Sequence, residues 1–294
     1  MALSKEIWMH MKAKMKSVLR PSRRRVSALA AVAGVAAFSW TVMPSASAAK
    51  AEPASQTAKP TVVLVHGAFA DSSSWNGVIT RLRHAGYPVE APANPLRGVA
   101  DDSDYLESYL KSVKGPVVLV GHSYGGSVIS DAAAGNPQVK ALVYIAAFVP
   151  DKGETLAELG DRFPGATLPS ALDAVPYPLP GGGTGSDLYV QKDKFHDAFA
   201  ADVPRSVTDL MAVTQRPLAA SVFDEKATET AWKTIPSWDL VTTQDHAIAP
   251  AEQRFMATRA HAHTIEVNSS HAVAISHPGT VTRLIEQAAR TTSK

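Results

Sequence analysis

The stretch that decides the reading is Val117-Val118-Leu119-Val120-Gly121-His122-Ser123-Tyr124-Gly125-Gly126, followed by Ser127–Ala134, a segment of helical character. A β-branched run that ends in Gly-x-Ser-x-Gly and passes into a helix puts serine at the apex of a sharp strand-to-helix turn. The turn strains the serine backbone, and glycine at 121 and 125 lets strand and helix approach. Ser123 Oγ is expected to stand clear of the sheet, with the Tyr124 N–H aimed where charge would develop on an attacked carbonyl. A serine hydroxyl is a weak nucleophile near neutral pH. It needs a base, an acid to orient the base and a second N–H donor.

Composition bounds the alternatives. The chain has 294 residues, 45% hydrophobic and 19% charged, enough for one sizeable core. The absence of cysteine excludes disulfides, thiolate metal sites and cysteine nucleophiles. Lys5, Lys12, Lys14, Lys16, Arg20 and Arg23-Arg24-Arg25 precede an Ala-rich apolar run over Val26–Met43, and Ala46-Ser47-Ala48 follows as a small-residue cleavage signal. Residues 1–48 therefore read as an export leader, and Ser22-Arg23-Arg24-Arg25-Val26 resembles a twin-arginine signal. A secreted, extracytoplasmic protein is expected. Residues 1–48 hold 8 of the 29 basic and 1 of the 27 acidic side chains, so their removal leaves 21 against 26 and changes the net charge from +2 to −5. No basic face remains to suggest nucleic acid, and no stable membrane association is expected after cleavage.

Residues 49–60 read as a polar linker. Beyond them, Thr61–Val65, Tyr87–Ala91, Val117–Val120, Ala141–Phe148, Trp238–Thr243 and Thr264–Val267 are predicted strands. Ser73–Ala85, Asp104–Val113, Ser127–Ala134, Pro250–Ala260 and Val281–Ala289 are predicted helices. Strands alternating with helices imply right-handed crossovers and an α/β fold, a parallel sheet of about six strands covered on both faces. The alternation breaks between about 150 and 233, where Pro and Gly are frequent (Pro176, Pro178, Pro180, Gly181-Gly182-Gly183). That length reads as a small inserted cap within a domain covering 61–294. No Gly-x-Gly-x-x-Gly follows the first strand, which disfavours a dinucleotide site.

In such a sheet the loops at the carboxyl ends of the strands share one edge. His271 follows the last strand and is the candidate base. Asp245 follows the strand before it and is the candidate acid, which gives the chain order Ser…Asp…His. Asp151 is the alternative acid, and Asp239 is disfavoured because it falls within a predicted strand. His66-Gly67-Ala68-Phe69 ends the first strand and fits an oxyanion loop, with the N–H of Ala68 or Phe69 joining that of Tyr124. Phe69 is also a candidate substrate contact. His66 and His122 read as structural. His261-x-His263 has no third ligand at suitable spacing, so it reads as surface strand and no metal is expected.

Val65-His66-Gly67-Ala68, Gly121-His122-Ser123-Tyr124-Gly125-Gly126, Pro150-Asp151-Lys152-Gly153-Glu154, Gln244-Asp245 and Ser270-His271-Ala272-Val273 together resemble the compact α/β-hydrolases. That family includes bacterial aryl and short-chain esterases, plant methylesterases and hydroxynitrile lyases, and the resemblance covers about residues 60–290. It implies Ser123 as nucleophile, Asp245 as acid, His271 as base, and Ala68 and Tyr124 as oxyanion donors. It also implies a small helical cap between the fourth and fifth strands. The lyases carry Lys directly after the catalytic His, where this chain has Ala272, which argues against lyase chemistry. The expected function is a cofactor-free, secreted serine esterase acting on small or aromatic carboxylic esters. Lactonase, amidase, carbon–carbon hydrolase or perhydrolase chemistry on the same triad is the alternative, as is a non-catalytic ligand-binding homologue.

Overall fold

The computed structural model describes residues 59–291. The expected leader over 1–48, and all but the last two residues of the 49–60 linker, lie outside the described residues. Six parallel strands form the central sheet: β1 (Thr61–Val65), β2 (Val89–Glu90), β3 (Val117–His122), β4 (Val139–Ile145), then β8 (Ser237–Thr242) and β9 (His263–Val267), in the order β2-β1-β3-β4-β8-β9. Helices α1 (Asn76–His84), α2 (Val99–Leu110), α3 (Gly125–Ala132), α7 (Pro250–Arg259), α8 (Val273–Ser276) and α9 (Pro278–Thr291) cover it. The six-stranded parallel sheet expected from the sequence is the one observed.

The apolar runs sort by alternation. Val63, Val65, Val117 and Leu119 join the core under α2, α3 and α7, whereas Val62, Leu64, Val118 and Val120 join the one under α1 and α9. A strand buried on both faces has no polar side to show, so it reads as continuous Val and Leu. Helix α9 supplies Val281, Leu284, Ile285, Ala288 and Ala289 at helical spacing, all buried. The Val, Leu and Ile side chains, fully buried, each contribute about 1.5–3 kcal/mol.

Most boundaries move by one to four residues, and three of the shifts have a clear local or tertiary reason. Strand β2 shrinks to two residues because Pro88 and Pro92 bracket it and neither has an N–H to offer a ladder. Strand β4 stops at Ile145 because Ala146 turns into the left-handed region at φ 45°. Helix α2 begins at Val99 and not Asp104, because the N–H groups of Val99 and Ala100 donate to the Glu225 carboxylate at 2.7 and 2.9 Å. That acceptor lies 126 residues from Val99 in the chain.

The insertion between β4 and β8 contains more than helices. Strands β5 (Leu172–Pro178), β6 (Thr184–Val190) and β7 (Leu218–Ala219) make an antiparallel three-stranded sheet. Gly181, Gly182 and Gly183, at φ 91°, 107° and 92°, turn the β5–β6 hairpin. Helices α4 (Leu156–Arg162), α5 (Phe195–Phe199) and α6 (Arg205–Thr214) belong to the same insertion. The helical cap implied by family resemblance is thus a mixed one, because β5 and β6 pair over seven residues each. Of the two histidines at 261 and 263, only His263 lies in a strand; His261 turns at φ 50° before it.

Candidate active site

Ser123 sits at φ 54°, the strained conformation expected of the turn after β3. The space around it admits only glycine. A Cβ on Gly121 would lie 2.5 Å from the Gly125 carbonyl oxygen, and one on Gly125 2.7 Å from that of Val65. A Cβ on Gly126 would lie 2.3 Å from the Phe148 carbonyl oxygen, a requirement the sequence motif alone does not specify.

The loop after β8 carries Asp245 and the loop after β9 carries His271. Asp245 Oδ2 accepts from His271 Nδ1 at 2.8 Å, from Thr242 Oγ1 at 2.7 Å and from Gln253 Nε2 at 2.8 Å. Its Oδ1 accepts from the N–H groups of Ala247 and Ile248 at 2.8 and 2.9 Å. Burial alone would raise this carboxyl, but neighbouring His271 and these donors hold it below the ordinary aspartate value. An ionised carboxylate can only accept, so His271 Nδ1 bears the hydrogen and Nε2 of the neutral ring keeps a free lone pair. Asp245 and His271 side chains are 0% and 1% exposed. Thr242 and Gln253 escaped the sequence reading because polar residues in a strand and a helix carry no motif.

The structure does not join Ser123 to His271 by a hydrogen bond: His271 Nε2 is buried without a partner among the described residues. What joins the two loops is His122, whose Nε2 donates to the His271 carbonyl oxygen at 3.0 Å. Burial, and then His271, lower the His122 pKa to about 3, so the ring is neutral. The His122 and His271 rings lie 4.7 Å apart.

The loop after β1 lies against the elbow, since a Cβ on Gly67 would fall 2.6 Å from Ser123 Cβ and 3.2 Å from its Oγ. His66 holds this loop, donating from Nδ1 to the Gly67 carbonyl oxygen at 2.8 Å and accepting the Asn94 N–H on Nε2 at 3.0 Å. The Phe69 N–H is taken by the Arg216 carbonyl oxygen at 3.0 Å. Among the described residues the N–H groups of Ala68 and Tyr124 donate to no acceptor. Of the two donors weighed for that loop, Ala68 is the one left free. The Tyr124 ring is pinned by its hydroxyl, which donates to Asp102 Oδ2 at 2.7 Å.

The cap meets all three loops. Besides the Arg216 contact, the Thr167 and Leu168 N–H groups donate to the His246 carbonyl oxygen at 2.8 and 3.0 Å. Phe199 sets its ring 5.0 Å from His271, 6.3 Å from Phe69 and 6.4 Å from His122. A cavity of about 210 Å³, lined by Phe69, Asp71, Met211, Gln215 and Ile275 among others, opens between the loop after β1 and α6. Asp151 is elsewhere, paired with Lys233. Asp239 lies within β8, where burial raises its carboxyl well above the ordinary value. Neither touches His271. Among the described residues no cluster of His, Asp and Glu could hold a metal ion, and no helix is long and apolar enough to cross a membrane.

A parallel sheet covered on both faces, with serine on a strained turn and a buried Asp–His pair on the same edge, defines a class of protein. The chain belongs to the alpha/beta hydrolase family, whose pattern matches residues 62–284. It is 36% identical over 123 residues to a carbendazim hydrolyzing esterase of Nocardioides sp. (strain SG-4G), a match covering 37% of this chain and 48% of that protein. It is 26% identical over 253 residues to an alpha/beta hydrolase of Aspergillus novofumigatus, covering 79% and 97% of the two chains. The structure of polyneuridine aldehyde esterase superposes with a TM-score of 0.69 at 19% identity, over 78% of this chain and 98% of that one. At that identity the likeness is one of fold.

Proposed function

We propose that the chain is a serine esterase in which Ser123 is the nucleophile, His271 the base and Asp245 the orienting acid. The observation that carries the reading is the Asp245–His271 pair. A carboxylate saturated with donors commits His271 Nδ1 to a hydrogen bond and leaves Nε2 unpartnered on the edge that bears Ser123. In the reaction, Ser123 Oγ bonds to the ester carbonyl carbon while its proton passes to His271 Nε2. The free N–H groups of Ala68 and Tyr124 hold the resulting oxyanion. The carbon–oxygen bond to the alcohol or phenol breaks as His271 returns the proton to it. Water, deprotonated by His271, then attacks the acyl carbon, and the carbon–Oγ bond breaks as His271 returns that proton to Ser123 and the acid leaves. The unformed Ser123–His271 bond is compatible with this sequence, since such bonds tighten when substrate fills the site.

Small or aromatic acyl esters are the proposed substrates. The ring of Phe199, set against those of His271 and Phe69, supports compact apolar groups, and the match to a carbendazim hydrolyzing esterase supports ester hydrolysis. Export after cleavage behind Ala48 is part of the proposal and rests on the sequence of residues 1–48. The test is a p-nitrophenyl ester panel with a fluorophosphonate label. Wild-type protein should hydrolyse the shorter esters and take label on Ser123, and Ser123→Ala should do neither. A folded wild type that takes no label and turns over no ester is instead a ligand-binding homologue.

A further inference from the structure

The cap reaches the loop of the base through one side chain. Asp202 lies between α5 and α6, and its carboxylate accepts from two consecutive hydroxyls: Ser269 Oγ at 2.7 Å, and Ser270 Oγ. Both serines are buried, at 1% and 3% exposure, and His271 is the next residue. Ser269 Oγ also lies 3.0 Å from Ser276 Oγ, which lies 2.9 Å from His277 Nδ1. His277 Nδ1 is in turn 3.6 Å from Asp202 Oδ2. The network thus brackets His271 from both sides in the chain.

A short loop held only by its backbone leaves its side chains free to tilt. Here Gln244 N–H donates to the Ser269 carbonyl oxygen at 3.1 Å from the acid's side, while Asp202 fixes the two serine side chains from the cap's side. Charge-assisted O–H···O⁻ bonds are short and directional, so they suit this task better than neutral ones. Phe199, three residues before Asp202, packs its ring on the His271 ring. One cap segment therefore both covers the base and holds the residues that carry it.

We propose that Asp202 is a positioning residue: through Ser269 and Ser270 it sets His271 for proton transfer, making the seated cap a condition of full reactivity. The inference rests on Ser123 and His271 being nucleophile and base. Asp202 touches no reacting atom, so its loss should lower the rate of chemistry and spare binding.

The experiment measures the second-order rate of fluorophosphonate labelling, with kcat and KM for p-nitrophenyl acetate, in wild type, Asp202→Ala, Asp202→Asn, Ser269→Ala/Ser270→Ala and the triple variant. Asp202→Ala should slow labelling and kcat by about 10- to 100-fold, the scale on which small misplacements of catalytic groups act, with KM within about twofold. Asp202→Asn, whose amide oxygen still accepts a hydroxyl hydrogen, should recover most of the rate. Adding Asp202→Ala to the double serine variant should change nothing further. Should Asp202→Ala prove unfolded, the double serine variant alone must show the same loss of kcat at unchanged KM. Labelling of Asp202→Ala at the wild-type rate overturns the proposal, as does an equal further loss in the double serine background. A wild type that takes no label overturns the esterase reading and this one with it, whereas a labelled wild type beside an unaffected Asp202→Ala overturns this one alone.

Discussion

Gln253 Nε2 donates to Asp245 Oδ2 at 2.8 Å from eight residues along the chain, while its Oε1 accepts the Thr242 N–H at 3.0 Å. One amide side chain thereby couples the end of β8 to Asp245. Gln253→Leu leaves a buried N–H and a buried carboxylate each short of a partner and should destabilise the fold by about 1–3 kcal/mol at pH 7. Because the Asp245 carboxyl is held below its ordinary value, the stability it contributes is present above the unfolded aspartate pKa and lost as pH falls through the folded one. The gap between variant and wild type in urea unfolding should therefore narrow as pH falls below about 4.

Asp245→Asn reverses the hydrogen-bond polarity at His271 Nδ1 and favours the wrong tautomer, so kcat should fall by about 10⁴. Asp151→Asn removes only a partly exposed pair with Lys233 and should leave kcat unchanged and stability within about 1 kcal/mol. Steady-state kinetics on both variants decides which aspartate is the acid.

Glu252 on α7 is 1% exposed, and its Oε1 has no partner among the described residues. Burial first, then the charge of Asp245, push its carboxyl up from 4.5 to about 8, against the attraction of Arg162. The unfolded chain ionises this group near 4.5, so between there and about 8 folding takes up a proton. Across that window stability falls as pH rises, at about 1.4 kcal/mol per pH unit from this group. Glu252→Gln removes that share of the slope. Its stability relative to wild type should be more favourable at pH 8 than at pH 5, measured by urea unfolding at both; a constant difference would refute the raised carboxyl.

The Tyr124 hydroxyl is the Asp102 carboxylate's side-chain donor, and both residues are 1% exposed. Tyr124→Phe should cost about 1–3 kcal/mol and lower the melting temperature. The Tyr124 N–H is kept, so fluorophosphonate labelling of Ser123 should persist.

Phe199→Ala removes the ring that faces His271 and Phe69. It should raise kcat/KM for p-nitrophenyl octanoate relative to acetate by about tenfold, the low end of what one methylene is worth in a hydrophobic pocket. An unchanged ratio would put the acyl group elsewhere.

Much of the fold was legible in local pattern. Val117–Val120 before Gly-x-Ser-x-Gly specified a buried strand, a strained serine and close-approach glycines, because sterics at a tight turn act within a few residues. That Ser123, Asp245 and His271 share one edge was legible because a parallel sheet brings every loop after a strand to that edge, whatever the length between. The remainder depends on partners far apart in the chain. Glu225 sets the start of α2, the Arg216 carbonyl oxygen takes the Phe69 N–H and leaves that of Ala68, Gln253 completes the donors of Asp245, and Asp202 of the cap holds the serines before His271. Such hydrogen bonds leave no periodicity or spacing in the sequence, since each is chosen by whichever group the packed chain brings within 3 Å or so of an otherwise unsatisfied one.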